Sequence, residues 1–265
     1  MKCTFTILLL TISLTIFIYP SCAQSSVHPP DQDFHLYLLI GQSNMAGRGK
    51  TDTTRKPADT RILMLDSTGK FVPATDPVHY DKKEAGVGPG ISFAQHMLAA
   101  NPKIKIGLIP AAVGGTSIQR WVPGGYDSVT HTHPYDDAMA RAKEAMKYGV
   151  LKGILWHQGE ANSSDFQDSP GYIFLLRQLI QSIRTTFHMP QLPVTIGELG
   201  YFRPAFVNFN AMLKAVPDSI SFTNIVSAKG LQHKGDNTHF NAESARALGK
   251  RFAAGMKALQ QINRK

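Results

Sequence analysis

Apolar residues in this chain come in short solid runs, each followed by a polar or glycine-rich stretch. Residues 34–40 form the first run, which stops at Gly41 and has the length and continuity of a strand buried on both faces. Runs of the same kind occupy 104–109, 152–156, 194–199 and 220–226. Between them the apolar period becomes that of helices. Phe93, Met97 and Leu98 share a face of 91–100; Ala138, Ala142, Ala145 and Met146 share one of 136–148; Leu175, Leu179, Ile183 and Phe187 share one of 171–187. A shorter helix is predicted over 206–216. The last helix follows Asn241 and runs to about residue 261, with Ala245, Leu248, Phe252, Met256 and Leu259 inward. Asn241 suits its N-cap, and Glu243 lies near its positive end. Strands alternating with helices predict one α/β domain, a three-layer α/β/α sandwich on a parallel five-stranded sheet in flavodoxin-like order. The stretch 47–89 is polar and rich in Gly, Pro and Asp apart from 62–65. It reads as a long excursion over the edge of the domain that would carry the active site.

The chemistry lies at the ends of these runs, because a side chain just past the C-terminal end of a parallel strand faces the crevice where such sheets bind ligands. After the first run come Gly41, Gln42, Ser43 and Asn44, so Ser43 stands where a nucleophile could be held. The second run leads to Gly114 and Gly115, where the lack of Cβ atoms lets a backbone amide approach a ligand. Trp121 and Tyr126 follow in a Gly- and Pro-rich loop, and their rings could stack on sugars or pack in the core. The third run ends in His157, Gln158, Gly159 and Glu160. Before the last helix, Asp236 and His239 are close enough for one turn to join carboxylate and imidazole. Asp236 would then accept the Nδ1 hydrogen and leave Nε2 free to take the Ser43 proton.

Composition narrows the classes. Residues 1–23 carry Lys2, an apolar run from about residue 5 to 18, and small residues at Ser21 and Ala23, which read as a secretory signal peptide cleaved before Gln24. The run is short for a membrane span, so no stable span is expected after cleavage. Cys22 also admits a lipoprotein reading, which Tyr19 and Pro20 disfavour. Residues 24–33 are a short lead-in and 34–265 the domain. The chain is thus expected to be exported, to periplasm or medium. Both cysteines, Cys3 and Cys22, fall in the leader, which leaves no disulfide, thiol nucleophile or cysteine metal site in the mature chain. The formal charge of +9 is spread without a basic run or an aromatic-interleaved stripe, so no nucleic-acid partner is expected. It would favour acidic polymers in general.

Taken together, the blocks Gly41-Gln-Ser-Asn-Met45, Gly114-Gly-Thr-Ser117, Trp156-His-Gln-Gly-Glu160 and Asp236-Asn-Thr-His239 resemble those of the SGNH hydrolases. More narrowly they are similar to the branch holding sialate O-acetylesterases and the acetylxylan esterases of carbohydrate esterase family six. The resemblance runs from about residue 34 to the C-terminus. It implies a serine esterase that removes acetyl groups from the hydroxyls of a poly- or oligosaccharide, acetylated xylan first, with neither metal nor cofactor. By position Ser43 would be nucleophile, His239 general base and acid, and Asp236 its orienting carboxylate. The Ser43 amide, a Gly114 or Gly115 amide and the Gln158 side chain would hold the oxyanion. Glu160 would be a supporting residue or the alternative triad acid, and Asn44, Trp121 and Tyr126 would contact substrate. Two rivals stand beside this reading: another ester hydrolase on the same scaffold, and a secreted carbohydrate-binding protein without catalysis.

Overall fold

The computed structural model of the chain describes residues 29–52, 59–164 and 169–262. The expected signal peptide, both cysteines and the start of the lead-in lie outside the described residues. Strand β1 spans Asp31–Gly41 and so begins inside the expected lead-in. After the short helix α1 (Ser43–Ala46) come strands β2 (Ile62–Leu65) and β3 (Phe71–Pro73). Helix α2 (Gly90–Ala100) and strand β4 (Lys105–Pro110) follow, then α3 (Pro134–Ala145), β5 (Gly149–His157) and α4 (Ser169–Thr186). The chain ends with β6 (Val194–Gly197), α5 (Pro204–Leu213), α6 (Val216–Ser219), β7 (Thr223–Val226) and α7 (Ala242–Ile262). The predicted helix over 206–216 is broken into α5 and α6.

The sheet has seven strands in the order β3-β2-β4-β1-β5-β6-β7, two more than expected. The five predicted strands keep the flavodoxin-like order, with β1 between β4 and β5. The additions come from the polar excursion. Strand β2 pairs parallel to β4, Ile62 opposite Ile106, and β3 folds back antiparallel on β2 around Asp66, whose Oδ1 accepts the Thr68 and Lys70 amides. Both lie inside a stretch that is otherwise polar and rich in turn residues, with the short apolar piece 62–65 as the one sign of β2, and β3 has too few residues for a period to show.

Residues alternate across β1 between the two faces, and both are covered. Leu36, Leu38 and Ile40 pack with α3, α4 and α5 through Ala138, Leu176 and Phe206. Tyr37 and Leu39 pack with α2 and α7 through Phe93, Leu248 and Phe252. In α4 the buried line runs through Leu176, Leu179, Ile180 and Ile183, while Leu175 is only partly buried. Asn241 caps α7 as expected, its Oδ1 accepting the Ser244 amide at 2.8 Å. Among the described residues no helix is long and apolar enough to cross a membrane.

Candidate active site

The loops after β1, β4, β5 and β7 meet at the C-terminal edge of the sheet, at the point where the strand order reverses about β1. Their approach is close. A Cβ on Gly41, at φ 126°, would stand 2.1 Å from the His157 carbonyl oxygen, so glycine alone lets β1 end against β5. The Gln42 amide then donates to that carbonyl at 2.9 Å, and the chain turns into α1 with Ser43 at its first position. An amide in the first turn of a helix has no acceptor within the helix.

Between β7 and α7 the chain doubles back as a hairpin-like loop. His233 bridges Phe240, the Lys234 amide donates to the His239 carbonyl at 2.8 Å, and Nδ1 of His233 accepts the Gly235 amide at 2.9 Å. Asp236 sits at its tip. Its Oδ1 accepts the amides of Thr238 at 3.0 Å and His239 at 2.8 Å, while Oδ2 lies 2.7 Å from Nδ1 of the His239 ring. The other ring nitrogen, Nε2, is 2.9 Å from Oγ of Ser43. Partial burial pushes the Asp236 carboxyl up, but the two amides and the imidazole outweigh it and hold the group well below the usual carboxylate range. Arg203 props the loop from outside, donating to the Asn237 carbonyl at 2.9 Å.

Glu160 does not reach His239. Its Oε1 accepts Nδ2 of Asn44 at 2.5 Å and lies 3.8 Å from Nδ1 of His157. Burial pushes the His157 imidazole down in pKa, and its Nε2 lies 3.0 Å from the Glu198 carbonyl. Asn44, expected on substrate, is instead buried and internally bonded. Besides Glu160, its Nδ2 donates to the Thr238 carbonyl at 3.0 Å, and its Oδ1 accepts the Phe240 amide at 3.0 Å.

Two other expectations meet different surroundings. The Gln158 side chain is 0% exposed: its Nε2 has the oxygens of Gln42, Thr116 and Asn162 at 3.1, 3.2 and 2.7 Å, and its Oε1 accepts the Tyr172 hydroxyl. Its amide hydrogens stitch the loops after β4 and β5 together, which leaves none for an oxyanion. Trp121 is 1% exposed, edge-on to Trp156, with Nε1 donating to Oγ1 of Thr116. It is a core residue and offers no face to a sugar. Tyr126 does stay exposed, with its hydroxyl 3.1 Å from Nδ1 of His131.

At the glycine pair, the Gly114 amide donates to Oδ2 of Asp81 at 2.9 Å. The following residue, Gly115, has φ 91° and turns its backbone back toward Val113. Among the described residues its amide meets no acceptor. Asp81 forms a buried ion pair with Arg48 at 2.7 Å. Neither residue stands out in the sequence, where both look like ordinary charges of a polar excursion.

The sequence matches, over residues 33–258, the family model described as carbohydrate esterase, sialic acid-specific acetylesterase. It is 32% identical over 247 residues to the probable carbohydrate esterase At4g34215 of Arabidopsis thaliana, covering 83% of this chain and 88% of that one. The X-ray structure of that Arabidopsis protein superposes with a TM-score of 0.75 at 29% identity, over 87% of this chain and 99% of the other. The crystal structure of NanS, at 19% identity, shares the fold with a TM-score of 0.64 over 89% and 99% of the two chains. With the family model spanning most of its length, the chain belongs to the carbohydrate esterase family of sialic acid-specific acetylesterases, which are carboxylic ester hydrolases.

Proposed function

We propose that the protein is a serine carbohydrate O-acetylesterase working through an acetyl-enzyme on Ser43. The observation that carries this reading is the chain of contacts from Ser43 Oγ to His239 Nε2 at 2.9 Å and from His239 Nδ1 to Asp236 at 2.7 Å. Ser43 Oγ attacks the acetyl carbonyl while Nε2 of His239 takes its proton. The resulting alkoxide is held by the amides of Ser43 and Gly115, the Gly114 amide being engaged by Asp81. As the intermediate collapses, the sugar oxygen leaves with the proton from His239. Water, deprotonated by His239, then attacks the acetyl-enzyme; acetate departs and the proton returns to Ser43. Asp236 keeps the ring in the tautomer that leaves Nε2 as acceptor and stabilises the imidazolium that forms.

Acetylated xylan is the first substrate choice, following the likeness of the four motif blocks to the family-six acetylxylan esterases. Cations near the triad favour a second reading, an O-acetylated acidic sugar such as a sialic acid. Lys234 Nζ stands 3.7 Å from Asp236, and Lys82 Nζ lies 4.0 Å from where a Gly115 Cβ would be. A carboxylate on the sugar would gain from both. The test is hydrolysis of 4-nitrophenyl acetate by the wild type and Ser43→Ala, followed by acetate release from acetylated xylan and from O-acetylated sialic acid. Loss of turnover in Ser43→Ala supports the nucleophile, and the faster glycan names the substrate. Wild-type protein inactive on all three would favour a carbohydrate-binding role instead. We also propose that the chain is exported, with cleavage before Gln24; an exported product whose N-terminus is not Gln24 would refute that site.

A further inference from the structure

Arg48 and Asp81 are 33 positions apart and meet beside the nucleophile, with side chains only 5% and 3% exposed. Arg48 also donates from Nη1 to the Gly47 carbonyl at 2.7 Å. The position a Gly114 Cβ would take is 2.4 Å from Arg48 Nη2, 3.0 Å from Asp81 Oδ2 and 3.4 Å from Ser43 Cβ. The ion pair, the glycine turn and the nucleophile therefore crowd around one point, and any side chain at 114 would drive the guanidinium away. Burying two charges costs several kcal/mol per ion unless further hydrogen bonds satisfy them. Here the further bond of Asp81 is the 2.9 Å contact from the Gly114 amide, one residue before the Gly115 amide, which meets no acceptor among the described residues.

We propose that Arg48 and Asp81 are positioning residues for the oxyanion hole, a role that rests on the serine-esterase reading above. Asp81 holds the Gly114 peptide by its amide and so presents the Gly115 amide to the acetyl oxygen. Arg48 balances the Asp81 carboxylate, which, left bare, would oppose the negative charge developing on that oxygen. Neither residue touches the substrate.

Two measurements test this. In the first, the wild type is treated with a 4-nitrophenyl alkylphosphonate and the Ser43 adduct is crystallised. The phosphoryl oxygen is expected on the Ser43 and Gly115 amides with Asp81 still on Gly114; an oxygen that displaces Asp81 and takes the Gly114 amide overturns the proposal. In the second, Arg48→Met is expected to lower kcat for 4-nitrophenyl acetate on the order of 10- to 100-fold with KM within about threefold, and Arg48→Lys to recover most of the loss. A wild-type kcat in Arg48→Met, or an effect confined to KM, overturns it. Should Arg48→Met fail to fold, the adduct structure decides alone. Hydrolysis that persists in Ser43→Ala would refute the serine-esterase reading itself, and this proposal with it.

Discussion

Asn44 donates to the carbonyl of Thr238 at 3.0 Å, which ties the residue after Ser43 to the residue before His239. The same side chain accepts the Phe240 amide, so it grips His239 on both sides, and Glu160 holds its amide in that orientation. Ser43 and His239 are thus aligned by a buried side chain that contacts neither Oγ of Ser43 nor the His239 ring.

Replacing Asn44 by Ala should therefore loosen the Ser43–His239 contact and strand the Phe240 amide and the Glu160 carboxylate. The expected outcome is a fall in kcat of roughly 10- to 100-fold and a loss of about 1–3 kcal/mol in stability. Kinetics on 4-nitrophenyl acetate and urea denaturation measure the two effects. Unchanged kcat in a folded Asn44→Ala would show that the clamp is not needed.

The two carboxylates, which make different contacts, should separate by their effect on turnover. Asp236→Asn removes the acceptor that sets the His239 tautomer and should cost about 100- to 10,000-fold in kcat. Glu160→Gln keeps an acceptor for Asn44 and should stay within about tenfold. Nearly full turnover in Asp236→Asn together with a large loss in Glu160→Gln would reverse the assignment.

Acid should destabilise the fold through His79 well before it reaches Asp236. Burial pushes the His79 imidazole down to about 4, from an ordinary value near 6.5. Between those values the unfolded chain binds the proton and the folded one does not, so stability rises with pH and is lost as pH falls through the window. The full difference is roughly 3 kcal/mol. The lowered carboxyl of Asp236 also favours the folded state, but that contribution is present above the ordinary carboxylate value and is lost below it. Urea denaturation at pH 7 and pH 4.5 should show a drop that is smaller by about 2–3 kcal/mol in His79→Asn. Equal drops in the two proteins would exclude His79 as the source.

Trp121 should behave as a core residue. Its ring meets Trp156 edge-on with centroids 5.3 Å apart, so Trp121→Ala is expected to cost about 3–5 kcal/mol of stability. The milder Trp121→Phe should lower the melting temperature and leave the ratio of kcat/KM values for different acetylated glycans unchanged. A shift in that ratio without a stability change would point to substrate contact after all.

The layered α/β fold, the order of five of its strands and the strand end that bears Ser43 are legible in the amino-acid sequence, and Asp236 and His239 are marked there by their spacing in the loop before α7. These are local matters: a solid apolar run is a buried strand, and a polar block at its end faces the crevice, whatever the rest of the chain does. Tertiary structure sets which carboxylate lies on the His239 ring: Asp236 and Glu160 both sit in short motifs, and the folded loops bring Asp236 to Nδ1 of His239 and Glu160 to Asn44. It alone joined Arg48 to Asp81 across the polar excursion and paired β2 with β4. It also turned Gln158, Asn44 and Trp121 inward. The partners of a buried polar group or a very short strand are remote in sequence, and their geometry is set by how whole elements pack, so neither periodicity nor spacing carries it.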